Sequence, residues 1–300
     1  MNARRGFDHR GRVIVVTGGA GGIARAFAPR AAERGAVLVL VDVRGEAAQD
    51  AAEALPGVGH RGYGCDLTDE AQVRALIGRI EEDHGRIDVL VNNVGMTSCE
   101  RFDERSVASI RTELEVNLLS PLVLTRLAVP LLRASADPRV VTTVSLCGIF
   151  PLGETPIYTA SKFGLRGAML AIGLDLRDKG IRAGSVLPSA TDTRMLRREA
   201  VEGGNALQFQ DPPQSPDVVA RAMLRLLDSP RLEVYPRPSE AWLVKAALLV
   251  PNALPRLMRL FRRRGERGQA AYLARLEREG VTRRRADGSW ELLDAERVLR

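Results

Sequence analysis

A tyrosine and a lysine stand four residues apart in the segment Tyr158-Thr159-Ala160-Ser161-Lys162. At this spacing both side chains lie on one face of a helix. A phenol has a pKa of about 10 in water, too high for a base near neutral pH, and a nearby cation lowers that pKa because it favours the phenolate. The pair therefore predicts a proton-transfer residue, although the same spacing also occurs on ordinary helix surfaces.

The position of a serine favours the catalytic interpretation of this pair. Ser145 stands thirteen residues before Tyr158 and directly after the apolar run Val140–Val144. In a parallel sheet, ligands bind outside the carboxyl ends of the strands. A hydroxyl at the end of this predicted strand can therefore orient a substrate oxygen beside the phenol.

The elements that must position these side chains alternate in type along the chain. The predicted strands are Val13–Val16, Val37–Val41, Val89–Val91, Val140–Val144 and Ala183–Leu187. The predicted helices between and around them include Ile23–Arg34, Glu70–His84, Val107–Leu132 and Tyr158–Lys179. Strands separated by helices indicate βαβ units. The predicted fold class is α/β, a doubly wound Rossmann-type parallel sheet with helices on both faces.

A glycine-rich turn follows the first predicted strand. It reads Thr17-Gly18-Gly19-Ala20-Gly21-Gly22-Ile23-Ala24. Glycines allow the backbone to approach a pyrophosphate, and the N-terminus of the following helix supplies partial positive charge. Glycine-rich turns are common without a ligand, but a strand before and a helix after this one indicate a dinucleotide site.

The second predicted strand ends in Asp42, about 20 residues after the motif glycines. A carboxylate at this position can accept hydrogen bonds from both hydroxyls of the adenosine ribose, and it repels a 2′-phosphate. The sequence therefore favours NAD as the cofactor. Arg44 is close enough in sequence to accommodate that phosphate, so NADP remains an alternative.

Over residues 12–195 the sequence resembles the short-chain dehydrogenase/reductase family. The matching motifs, in chain order, are Thr17–Ala24, Asp66-Leu67, Asn92-Asn93-Val94-Gly95, Asn117, Ser145, Tyr158 with Lys162, and Pro188–Thr193. The departures are Ala24, Val94, Val144 and Ser189, which replace a glycine, an alanine, a serine and a glycine that are frequent in the family. None of the departures removes a catalytic group.

The resemblance implies a homo-oligomeric, nicotinamide-dependent oxidoreductase that interconverts an alcohol and a ketone. In it, Tyr158 would transfer the proton, while Lys162 would hold the nicotinamide ribose and lower the pKa of Tyr158. Ser145 would hydrogen-bond the substrate oxygen, and Asn117 would position a water in a proton relay. The expected cofactor contacts are Thr17, Gly18, Gly21, Gly22, Ile23, Asp42, Asp66, Leu67, Asn93, Gly95, Tyr158, Lys162, Pro188 and Thr193.

Apolar residues surround these motifs in the sequence. They occur at 146–152 after the serine, at Met96, and at Met195-Leu196. If they line the substrate cleft, a lipophilic alcohol or ketone is the favoured substrate. If they belong to the core, they carry no information on the substrate. The mixed-polarity segment from Thr191 to about Pro216 is predicted to cover the substrate as a lid.

The net charge of +7 arises in the C-terminal part of the chain. Residues 1–230 hold 28 basic and 28 acidic side chains, whereas residues 231–300 hold 16 and 9. We therefore predict an N-terminal tail (1–11), a dinucleotide-binding and catalytic domain (12–230) and a basic helical extension (231–300).

The extension contains an apolar stripe beside arginines. Trp242 precedes Leu254, Leu257, Met258 and Phe261, the last four at helical spacing. Two interpretations are open. Residues 241–264 could rest on a membrane surface, as amphipathic basic helices do, or the helices could pack over the substrate cleft or a subunit interface.

Several other classes are disfavoured by composition. The cysteines Cys65, Cys99 and Cys147 show no CxxC spacing, so we expect neither a disulfide framework nor a metal site, and a reducing, cytoplasmic location. The charged N-terminal segment is unlike a secretory signal. Recognisable nucleic-acid modules are absent, so we expect no nucleic-acid partner. Two further alternatives are a non-catalytic NAD(H)-binding protein and a membrane-peripheral interaction protein.

Overall fold

The computed structural model describes residues 6–293; residues 1–5 of the predicted tail and 294–300 of the predicted extension lie outside the described residues. The strands are β1 (Val13–Thr17), β2 (Val37–Asp42), β3 (Arg61–Gly64), β4 (Val89–Asn92), β5 (Arg139–Thr143), β6 (Arg182–Val186), β7 (Glu233–Val234), β8 (Thr282–Arg284) and β9 (Trp290–Leu292). The helices are α1 (Gly22–Ala32), α2 (Gly45–Glu53), α3 (Glu70–His84), α4 (Val107–Leu114), α5 (Ser120–Arg133), α6 (Pro156–Asp175), α7 (Arg194–Val201), α8 (Pro216–Asp228), α9 (Pro238–Leu248) and α10 (Leu254–Arg278).

Within residues 6–293, seven parallel strands form one sheet in the order β3-β2-β1-β4-β5-β6-β7. The strand order reverses direction between β1 and β4, and this switch point is where open α/β sheets bind their ligands. The predicted fold class, a doubly wound Rossmann-type sheet with a helical C-terminal extension, is confirmed.

The residues of β1 show how the sheet joins two layers of helices. Ile14 and Val16 pack with α1, α2 and α8 on one face, whereas Val13 and Val15 pack with α3, α5 and α6 on the other. Successive side chains of a strand point to opposite faces, so burial of both faces produces a continuous apolar run. This is why β1 is recognisable in the sequence.

The residue pattern alone does not predict strand β3, because Arg61-Gly62-Tyr63-Gly64 is not an apolar run. Its formation depends on a close approach between β3 and α2. A Cβ atom on Gly62 would lie 2.2 Å from the backbone nitrogen of Gln49, so only glycine fits there. The Gln49 side chain also accepts a hydrogen bond from the Gly62 N–H at 2.9 Å.

The predicted helix Val107–Leu132 is interrupted by a π-helical turn at Glu115–Leu119. Among the described residues, the stretch Val107–Arg133 is long and apolar enough, by length and composition alone, to cross a membrane. In this fold its α5 part packs against β4 and α3, and Leu124 and Leu132 belong to the core. The α5 part is therefore a core element of the domain.

The structure differs in two respects from a purely helical segment after residue 230. Strand β7 at Glu233–Val234 pairs with β6 and adds the last strand to the sheet. After α10, β8 and β9 form a small antiparallel hairpin. Residues of α7, α10 and this hairpin share a third, smaller core, which includes Phe209, Tyr272 and Leu276.

Candidate active site and cofactor cleft

A cleft of about 800 Å³ lies at the carboxyl ends of the central strands. Most of the residues predicted from the sequence line it: Gly18, Gly21, Gly22, Ile23, Asp42, Asp66, Leu67, Asn93, Gly95, Ser145, Tyr158, Lys162, Pro188 and Thr193. Two do not line it, since Thr17 and Asn117 are fully buried behind its wall. The topology thus brings together residues that are up to 175 positions apart, from Gly18 to Thr193.

The glycine-rich turn has the geometry that a pyrophosphate requires. Gly18 has φ +63°, and a Cβ atom there would lie 3.3 Å from the Cα atom of Val94. Helix α1 begins at Gly22, and its N-cap, Gly21, provides no side-chain hydrogen bond to the first turn. The N–H groups of that turn are thus free of a side-chain cap and can bind an anion. These features fit the phosphates of a dinucleotide.

The buried Thr17 side chain connects the start of this turn to the residues that follow β4. Its hydroxyl oxygen accepts hydrogen bonds from the N–H groups of Asn93 at 2.9 Å and Val94 at 3.2 Å. The Asn93 side chain in turn accepts a hydrogen bond from the Thr143 hydroxyl at 3.1 Å. The structure therefore places Thr17 as a link between the ends of β1 and β4, rather than as a direct cofactor contact.

Asp42 lies at the carboxyl end of β2, beside the glycine-rich turn. Its two carboxylate oxygens accept hydrogen bonds from the N–H groups of Ala20 and Arg44, both at 3.2 Å. The Arg44 guanidinium lies 3.7 Å from the same carboxylate and is about half exposed. The carboxylate that favours NAD and the guanidinium that could accommodate the 2′-phosphate of NADP are therefore both present at this end of the cleft.

Asp66 and Leu67 follow β3 on the same side of the cleft. Oδ1 of Asp66 accepts hydrogen bonds from the N–H and the hydroxyl of Thr68 at 2.9 and 2.7 Å. The carboxylate thus shapes the turn that leads into α3. Leu67 is half-buried and presents apolar surface to the cleft.

Ser145, Tyr158 and Lys162 meet where β5 and α6 face each other. Ser145 follows β5 directly, and its Oγ atom accepts a hydrogen bond from the Cys147 N–H at 3.0 Å. Tyr158 lies in the first turn of α6. Nζ of Lys162 lies 5.5 Å from the centre of the Tyr158 ring. The helical spacing and the strand end therefore place the three side chains as the sequence pattern predicts.

Asn117 lies behind this group, within the π-helical turn. Its side-chain oxygen accepts a hydrogen bond from the Met96 N–H, and its side-chain nitrogen donates one to the Met96 carbonyl, both at 2.8 Å. The same nitrogen donates to the hydroxyl of Ser161 at 3.2 Å. Asn117 thereby joins the loop after β4 to α6, and π-helical turns are frequently found at functional sites.

Burial has the largest effect on the pKa values of Tyr158 and Lys162. It raises the pKa of Tyr158 well above the usual value of 10, and the Ser145 hydroxyl only partly opposes the rise. Burial also lowers the pKa of Lys162 to about 8. This net rise comes from burial and does not measure the effect of the ammonium alone, so the lowering of the Tyr158 pKa by Lys162 stays a prediction.

A buried ion pair lies beneath the site and was not anticipated from the sequence. Arg105 contacts Glu113 on α4, and both side chains are almost completely buried. Burial raises the pKa of Glu113, while Arg105 and, further away, Lys162 lower it. In the sequence these charges look like part of a solvated helix surface, so no local signal identifies them.

The substrate part of the cleft is lined by both apolar and polar side chains. The predicted apolar residues that line it are Met96, Leu146, Cys147, Phe150, Leu152, Met195 and Leu196. Polar residues from the predicted lid also line it: Glu199, Gln208, Gln210 and Asp211. Glu199 is not singled out by the sequence, because the two arginines directly before it are typical of an exposed helix face.

The C-terminal extension packs over this part of the cleft. Leu257, Met258 and Phe261, which belong to the apolar stripe, line it together with Val244 and Ala247. This agrees with the interpretation that the helices cover the cleft. These three residues of the stripe face the cleft rather than the outer surface, where a membrane would contact them. Trp242, Leu249, Val250 and Leu260 are exposed.

Two glycines of α10 allow the close contact of the extension with the predicted lid. A Cβ atom on Gly268 would lie 1.9 Å from the carbonyl oxygen of Phe209, and one on Gly265 would lie 2.3 Å from that of Ala206. Further along α10, the Tyr272 hydroxyl donates a hydrogen bond to Asp192 at 2.7 Å. The extension is thus fixed to the loop that carries the predicted nicotinamide contact Thr193.

In the part of the chain that the structure describes, no cluster of three or more His, Cys, Asp or Glu residues could hold a metal ion. The cysteines Cys65, Cys99 and Cys147 are all free thiols, and Cys147 lies in the cleft wall. Burial raises the pKa of the Cys147 thiol to about 11. This cysteine therefore behaves as a small apolar group rather than as a nucleophile.

Comparison with known proteins places the chain in a family. The model of the short chain dehydrogenase family matches residues 12–202. D-threitol dehydrogenase from Mycolicibacterium smegmatis is 31% identical over 229 residues, which are 73% of this chain and 88% of that protein. Cis-4-hydroxycyclohexanecarboxylate dehydrogenase from Sinomonas cyclohexanicum is 35% identical over 188 residues, 62% of this chain and 75% of that protein.

The fold is also similar to that of solved structures. A short-chain dehydrogenase/reductase from Burkholderia phymatum, in complex with NAD, matches with a TM-score of 0.74 and 24% identity, covering 83% of this chain and 96% of that chain. The family match and the dehydrogenase relatives support a nicotinamide-dependent oxidoreductase, and the sheet, the glycine-rich turn and the cleft fit that class. The chain belongs to the short-chain dehydrogenase/reductase family, which confirms the resemblance seen in the sequence.

Proposed function

We propose that this protein interconverts a secondary alcohol with a lipophilic body and the corresponding ketone, with NAD as the favoured cofactor. The observation that supports this proposal is the convergence of Ser145, Tyr158 and Lys162 in one cleft that continues to the glycine-rich turn and Asp42. A protein that only bound NAD(H) would not need a phenol, an ammonium and a hydroxyl together at the substrate end of the cleft.

In this mechanism the phenolic oxygen of Tyr158 transfers the proton. It accepts the alcohol proton during oxidation and donates a proton to the ketone oxygen during reduction. In reduction the protonated phenol is the acid, and in oxidation the phenolate is the base. The nicotinamide, when bound, supplies the hydride acceptor or donor.

The neighbouring side chains orient the reacting groups. The Ser145 hydroxyl would donate a hydrogen bond to the substrate oxygen, and the Lys162 ammonium would hold the ribose hydroxyls of the cofactor. Asn117 does not line the cleft; its side chain hydrogen-bonds the Met96 backbone and the Ser161 hydroxyl and so holds the loop after β4 against α6. The apolar wall excludes water from the reacting atoms, which strengthens these polar interactions.

The proposal is tested by mixing the purified protein with NAD or NADP and a panel of cyclic, terpenoid and steroid secondary alcohols, while the absorbance of reduced nicotinamide is followed. We expect NADH to form with a subset of these alcohols, and the matching ketones to be reduced by NADH. Cofactor binding without turnover of any alcohol or ketone would support a non-catalytic NAD(H)-binding protein. Failure to bind either cofactor would overturn the proposal.

The cofactor preference gives a separate prediction for Asp42. Replacing it with asparagine should lower the ratio of kcat/KM for NAD to that for NADP by roughly tenfold to 100-fold. The substitution keeps the hydrogen-bonding shape of the side chain but removes the charge that binds ribose hydroxyls and repels a 2′-phosphate. Steady-state kinetics with both cofactors measure the ratio.

The matched control for Asp42→Asn is Glu46→Gln, which removes an exposed carboxylate from the first turn of α2. It should leave the cofactor ratio unchanged. A wild-type protein that prefers NADP would show instead that Arg44 outweighs Asp42 at this end of the cleft.

A further inference from the structure

Glu199 is a buried carboxyl group in the substrate part of the cleft for which the proposed mechanism has no use. It lies on α7, is only 7% exposed, and lines the cleft with Leu196 and Gln208. It is close enough to Tyr158 and Cys147 for its charge to affect the pKa of both groups. Glu199 therefore lies on the substrate side of the reacting centre.

The cations next to Glu199 in the sequence are paired elsewhere. Arg197 contacts Asp192 at 2.8 Å, and Arg198 contacts Glu202 at 2.6 Å. Within residues 6–293, no lysine, arginine or histidine lies within salt-bridge distance of Glu199. A buried carboxylate without a counter-ion is costly unless hydrogen-bond donors compensate for its lost hydration.

Protein donors satisfy only one side of this carboxyl group. Oε2 of Glu199 accepts a hydrogen bond from the Gln208 side chain at 2.6 Å. Oε1 accepts no hydrogen bond from the described residues. It also differs from the buried polar atoms that lack a partner, because it remains accessible to solvent. Oε1 is thus accessible, and because Glu199 lines the cleft, a donor group of a substrate there can reach this oxygen.

We infer that Glu199 is a specificity-determining residue that binds a second hydroxyl group of the substrate, distinct from the hydroxyl that is oxidised at Tyr158. This inference rests on the proposed function and narrows its substrate class to diols or polyols with an apolar skeleton. The apolar lining from Phe150, Leu152 and Met195 accommodates the skeleton, while Glu199 accepts the hydrogen bond of the second hydroxyl. A site built to hydrogen-bond a hydroxyl discriminates strongly against analogues that lack it.

Ring alcohols matched in size provide the test. The probes are cyclohexane-1,2-, 1,3- and 1,4-diols, the methylcyclohexanols in which a methyl group replaces the second hydroxyl, and 4-aminocyclohexanol. With the wild-type protein and NAD, we expect at least one diol to exceed its methyl analogue in kcat/KM by roughly 10- to 150-fold. The difference should lie mainly in KM, because the second hydroxyl binds away from the reacting carbon.

Variants of α7 test whether the preference for diols depends on the Glu199 carboxyl group. Glu199→Leu should abolish most of the diol preference, and Glu199→Gln, which keeps one carbonyl acceptor, should retain part of it. The control Glu202→Gln removes an exposed carboxylate one turn away and should leave the preference at the wild-type value. Unfolding midpoints report whether each variant is folded. If Glu199→Leu does not fold, the comparison of diols with their methyl analogues in the wild-type protein still tests the inference.

The outcomes separate this inference from the proposed function. Equal kcat/KM values for diols and methyl analogues in the wild-type protein would overturn the inference alone, as would an undiminished diol preference in folded Glu199→Leu. A higher kcat/KM for 4-aminocyclohexanol than for every diol would overturn the assignment to a hydroxyl. If no ring alcohol were oxidised with either cofactor while larger secondary alcohols were, the inference would fail and the proposed function would stand. If no alcohol of any kind were oxidised, both would fail.

Discussion

Replacing Tyr158 with phenylalanine is expected to lower kcat for alcohol oxidation and ketone reduction by about 10²- to 10⁴-fold. The change removes a single oxygen atom, so the ring still fills its half-buried position in α6. The lost group is the one that exchanges the proton with the substrate oxygen. NADH affinity should change by no more than a few-fold, because the glycine-rich turn, Asp42 and Lys162 are unaltered. Steady-state kinetics and titration of NADH fluorescence measure the two quantities separately.

The control for this variant is Tyr63→Phe. Tyr63 is a half-buried tyrosine of β3 whose hydroxyl contacts Asp83, away from the cleft. Its substitution should leave kcat near the wild-type value, which shows that losing a phenol is harmful only at the site. A kcat for Tyr158→Phe within tenfold of wild type would contradict the assignment of Tyr158 as the acid and base.

The residues best predicted from the sequence are those whose positions follow from local rules. Tyr158 and Lys162 share a helix face because of their spacing, and Ser145 lies at a strand end because a buried strand precedes it. The glycine-rich turn is recognisable because it stands between a strand and a helix. In each case a few neighbouring residues determine the geometry.

The features that sequence analysis missed depend on contacts between distant residues. Strand β3 exists because Gly62 fits against α2, and β7 pairs with β6 across a separation of almost fifty residues. The burial of Glu199 follows from Gln208 and from the extension, which packs on the same segment. No periodicity within α7 reveals that burial. Long-range packing of this kind is decided by the whole fold rather than by local propensity.

The buried Arg105–Glu113 pair leads to the largest expected effect on stability. Replacing Arg105 with methionine leaves the Glu113 carboxylate buried without its cation, and we expect the free energy of unfolding to fall by about 3–5 kcal/mol. Urea unfolding measures this change. The double variant Arg105→Met/Glu113→Leu should recover most of the loss, because it removes the uncompensated charge as well. The exposed pair Arg74–Glu70 is the control, and Arg74→Met should cost less than about 1 kcal/mol.

The effect of pH distinguishes the lost charge interaction from lost packing. Burial already raises the pKa of Glu113 above its usual value of 4.5, and loss of Arg105 removes the main opposing interaction. A carboxyl group whose pKa is higher in the folded than in the unfolded state binds its proton more tightly when folded. It therefore destabilises the fold as pH rises above the unfolded pKa. The deficit of Arg105→Met should be smaller at about pH 5 than at about pH 8. A deficit that is the same at both pH values, and that the double variant does not relieve, would mean that Arg105 acts through packing of its side chain alone.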